Sequence, residues 1–426
     1  MRVREAETDT APRPSSLGSH TPGEALVKIA VTNTVLSNAG DAAIYQSIVE
    51  ACSARASDDI EVTALDGAAP TTIDLYPEWN IEQQMSRSAS RPMPIRRLSN
   101  FLRGAALELL IRSSALRTFA LQGPVRNSEF SKALRVISEA DVVVSSGGTY
   151  LVDHYRFGHR VRELLVARAM GKPIVLWTQS MGPFVDAAAA RALRRLAPHV
   201  DAVYFRDDRS RQAWERVAPL PAVHAVLPDT VFGMTLERRE RPANRSRTAY
   251  LSVRNWGQGV EGGSLDFGEY EAGMRTVAET LTAAGWNCVA LSTCQGVPGY
   301  AVDDAATARR IFDGLPVTID ERFHTPAELF EMIRSADLVV ATRMHFAILS
   351  LLAATPVVAI AYETKTIDLF GSLGATAFVT PIEQVDGAWG ERVGADAIGA
   401  TVDDDRLEHV RAGASSPAEF VHSLIR

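Results

Sequence analysis

Residues 338–365 read LVVATRMHFAILSLLAATPVVAIAYETK, and the order of apolar and polar positions in this stretch decides the fold. Leu338–Ala341 and Val357–Ala361 are short β-branched runs, and Phe346–Leu352 between them is almost wholly apolar at helical length. Thr355-Pro356 interrupts the apolar stretch, which is too short for a span of about 20 residues, so it reads as a buried helix followed by a buried strand. Strands that are apolar throughout need cover on both faces, the condition of a parallel sheet. Each run ends in polar residues: Thr342-Arg343-Met344-His345 after the first, Tyr362-Glu363-Thr364-Lys365 after the second. Ligands of open α/β sheets bind beyond the carboxyl ends of the strands, so both clusters stand where chemistry is expected.

The same period extends outward. Ala249–Val253 and Cys288–Leu291 read as strands, with helices near Tyr270–Ala284, Ala301–Phe312 and Ala327–Ser335. Upstream, Leu26–Val31, Ile60–Leu65, Val142–Ser145, Ile174–Thr178, Ala202–Phe205 and Val223–Val226 repeat the pattern. The polar stretch ERRERPANRSR at 237–247 separates the halves as a solvated linker would. The expected fold is α/β, with two Rossmann-like domains facing a cleft, over 26–236 and 248–400. A polar arm at 1–25 is expected to be disordered, and 401–426 is expected to be a helical segment. The period weakens over 66–127, which reads as an insertion containing an apolar helix near Leu98–Phe119.

The 426 residues hold 44 Lys+Arg against 51 Asp+Glu, a net charge of −7, with 46% hydrophobic and 22% charged residues. These are ordinary globular values and exclude a fibrous, disordered or small disulfide-stapled chain. Without a positive stripe, nucleic acid is not an expected partner. Cys52, Cys288 and Cys294 lack metal or disulfide spacing and fit a reducing cytoplasm. Neither a signal peptide nor an integral membrane segment is read from the sequence. Lysine occurs only four times, at Lys28, Lys132, Lys172 and Lys365, so a lysine at a strand exit draws more notice than an arginine.

Other strand exits carry candidates. Asn38-Ala39-Gly40-Asp41 follows the first strand, where glycine admits close approach and a helix N-terminus offers free N–H groups; helix capping is the simpler explanation of Asp41. Ser146-Gly147-Gly148-Thr149 is a turn at a strand exit, with Asp153-His154-Tyr155 nearby as a proton-transfer group or a solvated turn. Arg206 emerges before Asp207, which suits a helix cap; Arg206 can hold an oxyanion bidentately or pair with a neighbouring carboxylate. Arg343 and His345 sit at a boundary otherwise committed to burial, where unpaired polar groups are costly, and this favours a functional role. Arg206, Arg343 and Lys365 can converge on one dianion from separate loops. No GxxxxGK[ST], HExxH, GxSxG or early GxGxxG motif occurs, which disfavours P-loop ATPases, zinc proteases, serine hydrolases and ordinary dinucleotide enzymes.

In order, Asn38-x-Gly40-Asp41, Gly147-Gly148, Gln179-Ser180-x-Gly182-Pro183, Arg206-Asp207-x-x-Ser210, Pro228-Asp229, Ser252-x-Arg254, Thr342-Arg343-Met344-His345 and Tyr362-x-x-Lys365 resemble the polysaccharide pyruvyl transferase family. The usual triple-glycine turn is here Ser146-Gly147-Gly148. The resemblance implies a GT-B-like pair of domains and transfer of pyruvate from phosphoenolpyruvate to sugar hydroxyls, commonly as a cyclic ketal. It implies His345, Arg343 and Asp41 as catalytic residues, with His345 the acid and Asp41 the base. It implies Arg206, Arg343, Lys365, Gly40, Gly147 and Gly148 at the donor, and Asn38, His154 and Arg254 on the acceptor side. Phosphoenolpyruvate and a sugar or glycan, lipid-linked or free, are the expected partners, and self-association stays open. No cofactor or metal beyond the donor substrate is expected. The insertion over 66–127 is expected on the acceptor side, and its Tyr76 and Trp79, with the loop Trp256–Gly263, either shape a sugar site or are packing. A sugar-nucleotide glycosyltransferase or a non-catalytic glycan-binding protein on the same scaffold are the alternatives.

Overall fold

The computed structural model describes residues 26–55, 59–87, 93–153, 155–236, 247–255 and 267–425, the side chains of 93–97 excepted. The arm at 1–25, His154, all but one residue of the linker and the loop Trp256–Gly263 lie outside the described residues.

The first half runs β1 (Val27–Thr34), α1 (Ala39–Ser53), β2 (Ile60–Asp66), α2 (Ala69–Leu75), β3 (Asn80–Gln83), α3 (Met93–Arg112), α4 (Ser114–Gln122), α5 (Glu129–Glu139), β4 (Val142–Ser145), β5 (Gly148–Val152), α6 (Gly158–Ala169), β6 (Ile174–Gly182), α7 (Ala187–Leu196), β7 (Ala202–Phe205), α8 (Asp208–Glu215) and β8 (Val223–Val226). The second half runs β9 (Thr248–Ser252), α9 (Phe267–Ala283), β10 (Asn287–Ala290), α10 (Asp304–Ile311), β11 (Val317–Ile319), α11 (Pro326–Ser335), β12 (Leu338–Ala341), α12 (Met344–Leu352), β13 (Val357–Ala361), α13 (Thr364–Ser372), β14 (Val379–Pro381), α14 (Gly387–Asp396), α15 (Asp404–Ala414) and α16 (Pro417–Ile425).

Among the described residues the first sheet has the order β3-β2-β1-β4-β6-β7-β8 with β5 beside β6, and the second β11-β10-β9-β12-β13-β14. Their pairings are parallel, as at Ile29 opposite Val142 and Val339 opposite Tyr250. β4, β12 and β13 are buried along their whole length, as strands covered by helices on both faces must be. Helix starts are set by side chains: Asp207 accepts from Ser210 N to cap α8, and Thr325 with Glu328 forms a capping box for α11.

Four strands escape the sequence pattern: β3, β5, β11 and β14, each three to five residues long. Runs this short contain too few positions for a period of two to show. Because β3 pairs with β2, part of 66–127 extends the first sheet and is not an insertion. The helix expected near Leu98–Phe119 is two, α3 and α4, divided at Ser113, whose hydroxyl accepts from Leu116 N and starts the second.

The halves share one apolar core, in which Tyr45 and Ile48 of α1 join Phe330 of α11 and Phe346 of α12. The chain then crosses back: α15 and α16 add Leu407, Ala414, Ala418 and Val421 to that core. Their return is tied by Arg55 Nη1 donating to Ser415 O at 3.1 Å and His422 Nε2 donating to Cys52 O at 2.8 Å. No described helix is long and apolar enough to cross a membrane.

Candidate functional site

A cleft of about 650 Å³ opens at the carboxyl ends of β1, β7, β12 and β13. Arg87, Arg156, Arg160, Arg206, Arg254, Arg343 and Lys365 line it, facing the carboxylates of Asp41 and Glu363. A chain of net charge −7 thus concentrates positive charge in its cleft.

On the first half's side, Asn38 is the cap of α1: its Oδ1 accepts from Gly40 N at 2.9 Å and its Nδ2 donates to Asp41 Oδ2 at 2.7 Å. Asp41 is therefore not the cap, as local pattern suggested, but a first-turn residue whose carboxylate faces the cleft. Burial raises its pKa above the ordinary 3.8, against the opposing pull of His345, Tyr150 and Asn38.

Gly40 and Gly147 support the cleft without lining it. A Cβ at Gly40 would lie 2.6 Å from His345 Nδ1, so this glycine lets α1 and α12 touch across the two halves. Beside it Ala39 N donates to Thr293 O at 2.9 Å, joining the halves through backbone. Gly147 packs on Thr178, whose Oγ1 would be 3.0 Å from an added Cβ. Gly148 lines the cleft at φ 111°, a conformation that favours glycine.

The expected cations do converge, and each brings a carboxylate. Arg206 donates from Nη1 to Asp229 Oδ2 at 2.6 Å, from Nε to Ser180 Oγ at 3.0 Å and from Nη2 to Thr149 Oγ1 at 3.0 Å. Its partner is Asp229, not the adjacent Asp207 or Asp208. Lys365 Nζ pairs with Glu363 and donates to Thr149 Oγ1 at 3.1 Å, so one hydroxyl joins Arg206 and Lys365. Arg343 is held bidentately, Nε to Asp304 Oδ2 and Nη2 to Asp304 Oδ1, both at 2.7 Å. No hydrogen bond to its Nη1 is seen among the described residues, and the residue lines the cleft. The structural pairing and the cleft position that sequence reading set against each other therefore hold together for this residue.

His345 is the one residue of α12 that is not buried. Its Nε2 makes no hydrogen bond and lies 3.5 Å from Asp229 Oδ2. Burial alone would raise Asp229, but Arg206 and His345 outweigh it and hold this carboxyl well below the usual range. Arg254 stacks over the Tyr362 ring at 4.1 Å, also on the cleft wall.

Geometry decides between the remaining alternatives. Asp153 is not free for proton transfer: its carboxylate accepts from the backbone N–H groups of Phe184, Val185 and Asp186 at 2.7–3.0 Å. Tyr76 and Trp79 are packing, stacked on each other at 4.1 Å with Tyr76 buried, and neither lines the cleft. Cys52, Cys288 and Cys294 are free and buried; burial raises their thiols to about 12, 11 and 12. Sequence reading gave no role to Thr149, Tyr150, Arg160, Asp229, Asp304 or Glu363. Thr149, Asp229 and Glu363 had a signal, as parts of quoted stretches at strand exits; Tyr150, Arg160 and Asp304 had none.

A family model described as polysaccharide pyruvyl transferase matches residues 38–364, nearly from Asn38 to Lys365. The amylovoran biosynthesis protein AmsJ of Erwinia amylovora is 25% identical over 380 residues, covering 83% of this chain and 88% of that one. Among solved structures, a UDP-N-acetylglucosamine 2-epimerase superposes with a TM-score of 0.56 at 10% identity, covering 94% of this chain and 95% of that one. The glycotransferase of kitacinnamycin superposes at 0.50 with 14% identity, covering 95% of this chain and all 100% of that one. At such identities these likenesses speak to the fold alone, and they show the GT-B-like pairing of two α/β domains.

Proposed function

Because the chain belongs to the polysaccharide pyruvyl transferase family, we propose that it moves pyruvate from phosphoenolpyruvate onto hydroxyls of a sugar or glycan, closing a cyclic ketal and releasing phosphate. One observation carries this reading: Arg206, Arg343 and Lys365 meet His345 and Asp41 at one cleft between the halves. A substrate with both a phosphate and a carboxylate needs several directed cations in a confined place. The carboxylates behind Arg206, Arg343 and Lys365 fix the direction of each cation and leave further N–H groups for the donor.

In the proposed reaction His345 delivers a proton to the methylene carbon of the enol phosphate. Asp229 stays anionic beside Nε2 and supplies the counter-charge for the protonated ring. Asp41 takes the proton of an acceptor hydroxyl as its oxygen bonds to the former enol carbon. Phosphate then leaves with its C–O electron pair, a second hydroxyl closes the ring, and its proton departs with the phosphate. The likeness to an amylovoran biosynthesis protein supports a polysaccharide or its precursor as acceptor. The three buried thiols suit a reducing cytoplasm.

The test is phosphate release from phosphoenolpyruvate with glycan acceptors, alongside nucleotide release from sugar nucleotides. Acceptor-dependent phosphate release, lost in His345→Ala with the circular dichroism spectrum retained, is the expected result. Nucleotide release without phosphate release would replace this reading with a glycosyltransferase. Glycan binding without turnover of either donor class would leave a binding protein.

A further inference from the structure

The donor-side cations are matched by Asp229, Asp304 and Glu363; a second group on the same cleft is not matched. Arg87, Arg156 and Arg160 line the wall formed by the first half, and among the described residues none of these guanidinium groups is ion-paired with a carboxylate. Arg160 is only 6% exposed. Its contacts are uncharged: Nη1 donates to Asn33 Oδ1 at 3.3 Å, and its guanidinium lies over the Tyr150 ring at 4.5 Å. Burial first, then the charge of Arg87, pulls Arg160 down to about 10, against weaker support from Tyr150, Glu163 and Asp41. Glu163 is the buried carboxylate behind it, and its Oε1 is occupied by Thr32 Oγ1 at 2.9 Å.

A further polar group on this wall is unfilled among the described residues. His159 Nδ1 donates to Arg156 O at 2.9 Å, which leaves Nε2 as a lone-pair acceptor, buried and without a partner. Burial, reinforced by Arg160 and Arg87, holds this ring neutral, with its pKa down to about 3. The Tyr150 hydroxyl is buried beside the Asp41 carboxylate, and its ring lies between Asp41 and Arg160. Past Arg87, His159 and Tyr300 the cleft continues into a second cavity of about 550 Å³, so there is room for a ligand much larger than a three-carbon donor.

Like charges gathered on a partly buried wall oppose one another, and an oxyanion relieves them, above all where arginine forks can bind it bidentately. We propose that Arg87, Arg156 and Arg160 form an oxyanion subsite for the acceptor, so that the acceptor is a sugar carrying a phosphate or carboxylate, not a neutral glycan. The inference rests on the donor reading above. Tyr150 sets the spacing: the hydroxyl to be modified sits at Asp41 and the anionic group lies across the phenol ring at Arg160.

The test is calorimetric titration of the full chain with glucose, glucose 1-phosphate and glucuronate, with phosphoenolpyruvate present at saturation, and separately with phosphoenolpyruvate alone. At least one anionic sugar is expected to bind about tenfold or more tighter than glucose. Arg87→Gln, at an exposed position, is expected to abolish that preference while phosphoenolpyruvate affinity stays within about twofold. Arg160→Lys, which keeps the charge but loses the fork, is expected to weaken the preference in part. The stronger of the two anionic sugars identifies the oxyanion. Equal binding of all three sugars would overturn the proposal. So would a loss of phosphoenolpyruvate affinity in Arg87→Gln as large as the loss for anionic sugars, because the arginines would then serve the donor. Preference for anionic sugars with no binding of phosphoenolpyruvate would support the subsite and overturn the donor reading alone.

Discussion

A methyl group at position 40 would stand 2.6 Å from His345 Nδ1, closer than any real contact allows. Gly40→Ala must therefore displace the imidazole or part the halves. A displacement of about 1 Å at a reacting group costs on the order of a hundredfold in rate. We expect Gly40→Ala to lose turnover on that scale with its secondary structure intact, and Gly40→Ala/His345→Ala to recover the thermal stability that the single change costs. Melting curves of the three variants check this. At Asp41 burial holds the carboxyl above 3.8, so its neutral form persists to a higher pH than in the unfolded chain. Stability from this group is full below its unfolded pKa and lost as pH rises through the raised one, while a base is available only above it. Asp41→Asn should therefore melt higher at neutral pH and release no phosphate. The acid limb of kcat/KM in the parent should lie above the ordinary carboxylate value. Arg343 and His345 were legible because polar side chains at the mouth of an apolar helix require a reason. Arg160 was not, because an arginine in a helix among forty arginines carries no local mark, and its burial comes from packing that sequence order does not display.

At the scale of elements, α12 is anchored at its start by Arg343, whose side chain does not cap it but reaches Asp304 at the start of α10. Ser292 Oγ adds a third hydrogen bond to that carboxylate, at 2.5 Å. Removing one partner of a buried ion pair leaves the other uncompensated and costs about 3–5 kcal/mol. Asp304→Ala should show that loss in denaturant unfolding. It should also lower phosphate release, because the guanidinium is then free to turn from the cleft. The strand–helix alternation and the strand exits could be read from β-branched runs and their polar ends. Asp304 could not be tied to Arg343, since 39 residues separate them and only the sheet order brings the start of α10 to the start of α12. The short strands β3, β5, β11 and β14 escaped for a related reason: they are added by neighbours that offer a free edge, not by their own pattern.

For the molecule as a whole, the core that crosses the halves and the return of α15 and α16 bind both sheets into one cooperative unit. A single thermal transition is expected for the full chain. Removal of residues 403–426 takes Leu407, Ala414, Ala418 and Val421 out of the shared core and should split that transition or lower its midpoint by several degrees, as calorimetry would record. The two-domain division was visible in the restart of the βα period, but the crossing back was not. Sequence shows α15 and α16 as ordinary amphipathic stretches and does not say which half they cover.

The contact between Gly40 and His345 also bears on how such a chain can change over generations. The two positions are separated by some three hundred residues yet share one small volume, so an alteration in either half is judged by the other. Thr149 extends the constraint, since its hydroxyl receives Arg206 from its own half and Lys365 from the opposite one. Halves exchanged between distant relatives would arrive with mismatched counterparts at both points. On the subsite proposed above, substitution at Arg160, whose contacts with Asn33 and Tyr150 lie within its own half, would reach new acceptors more readily than recombination of whole domains.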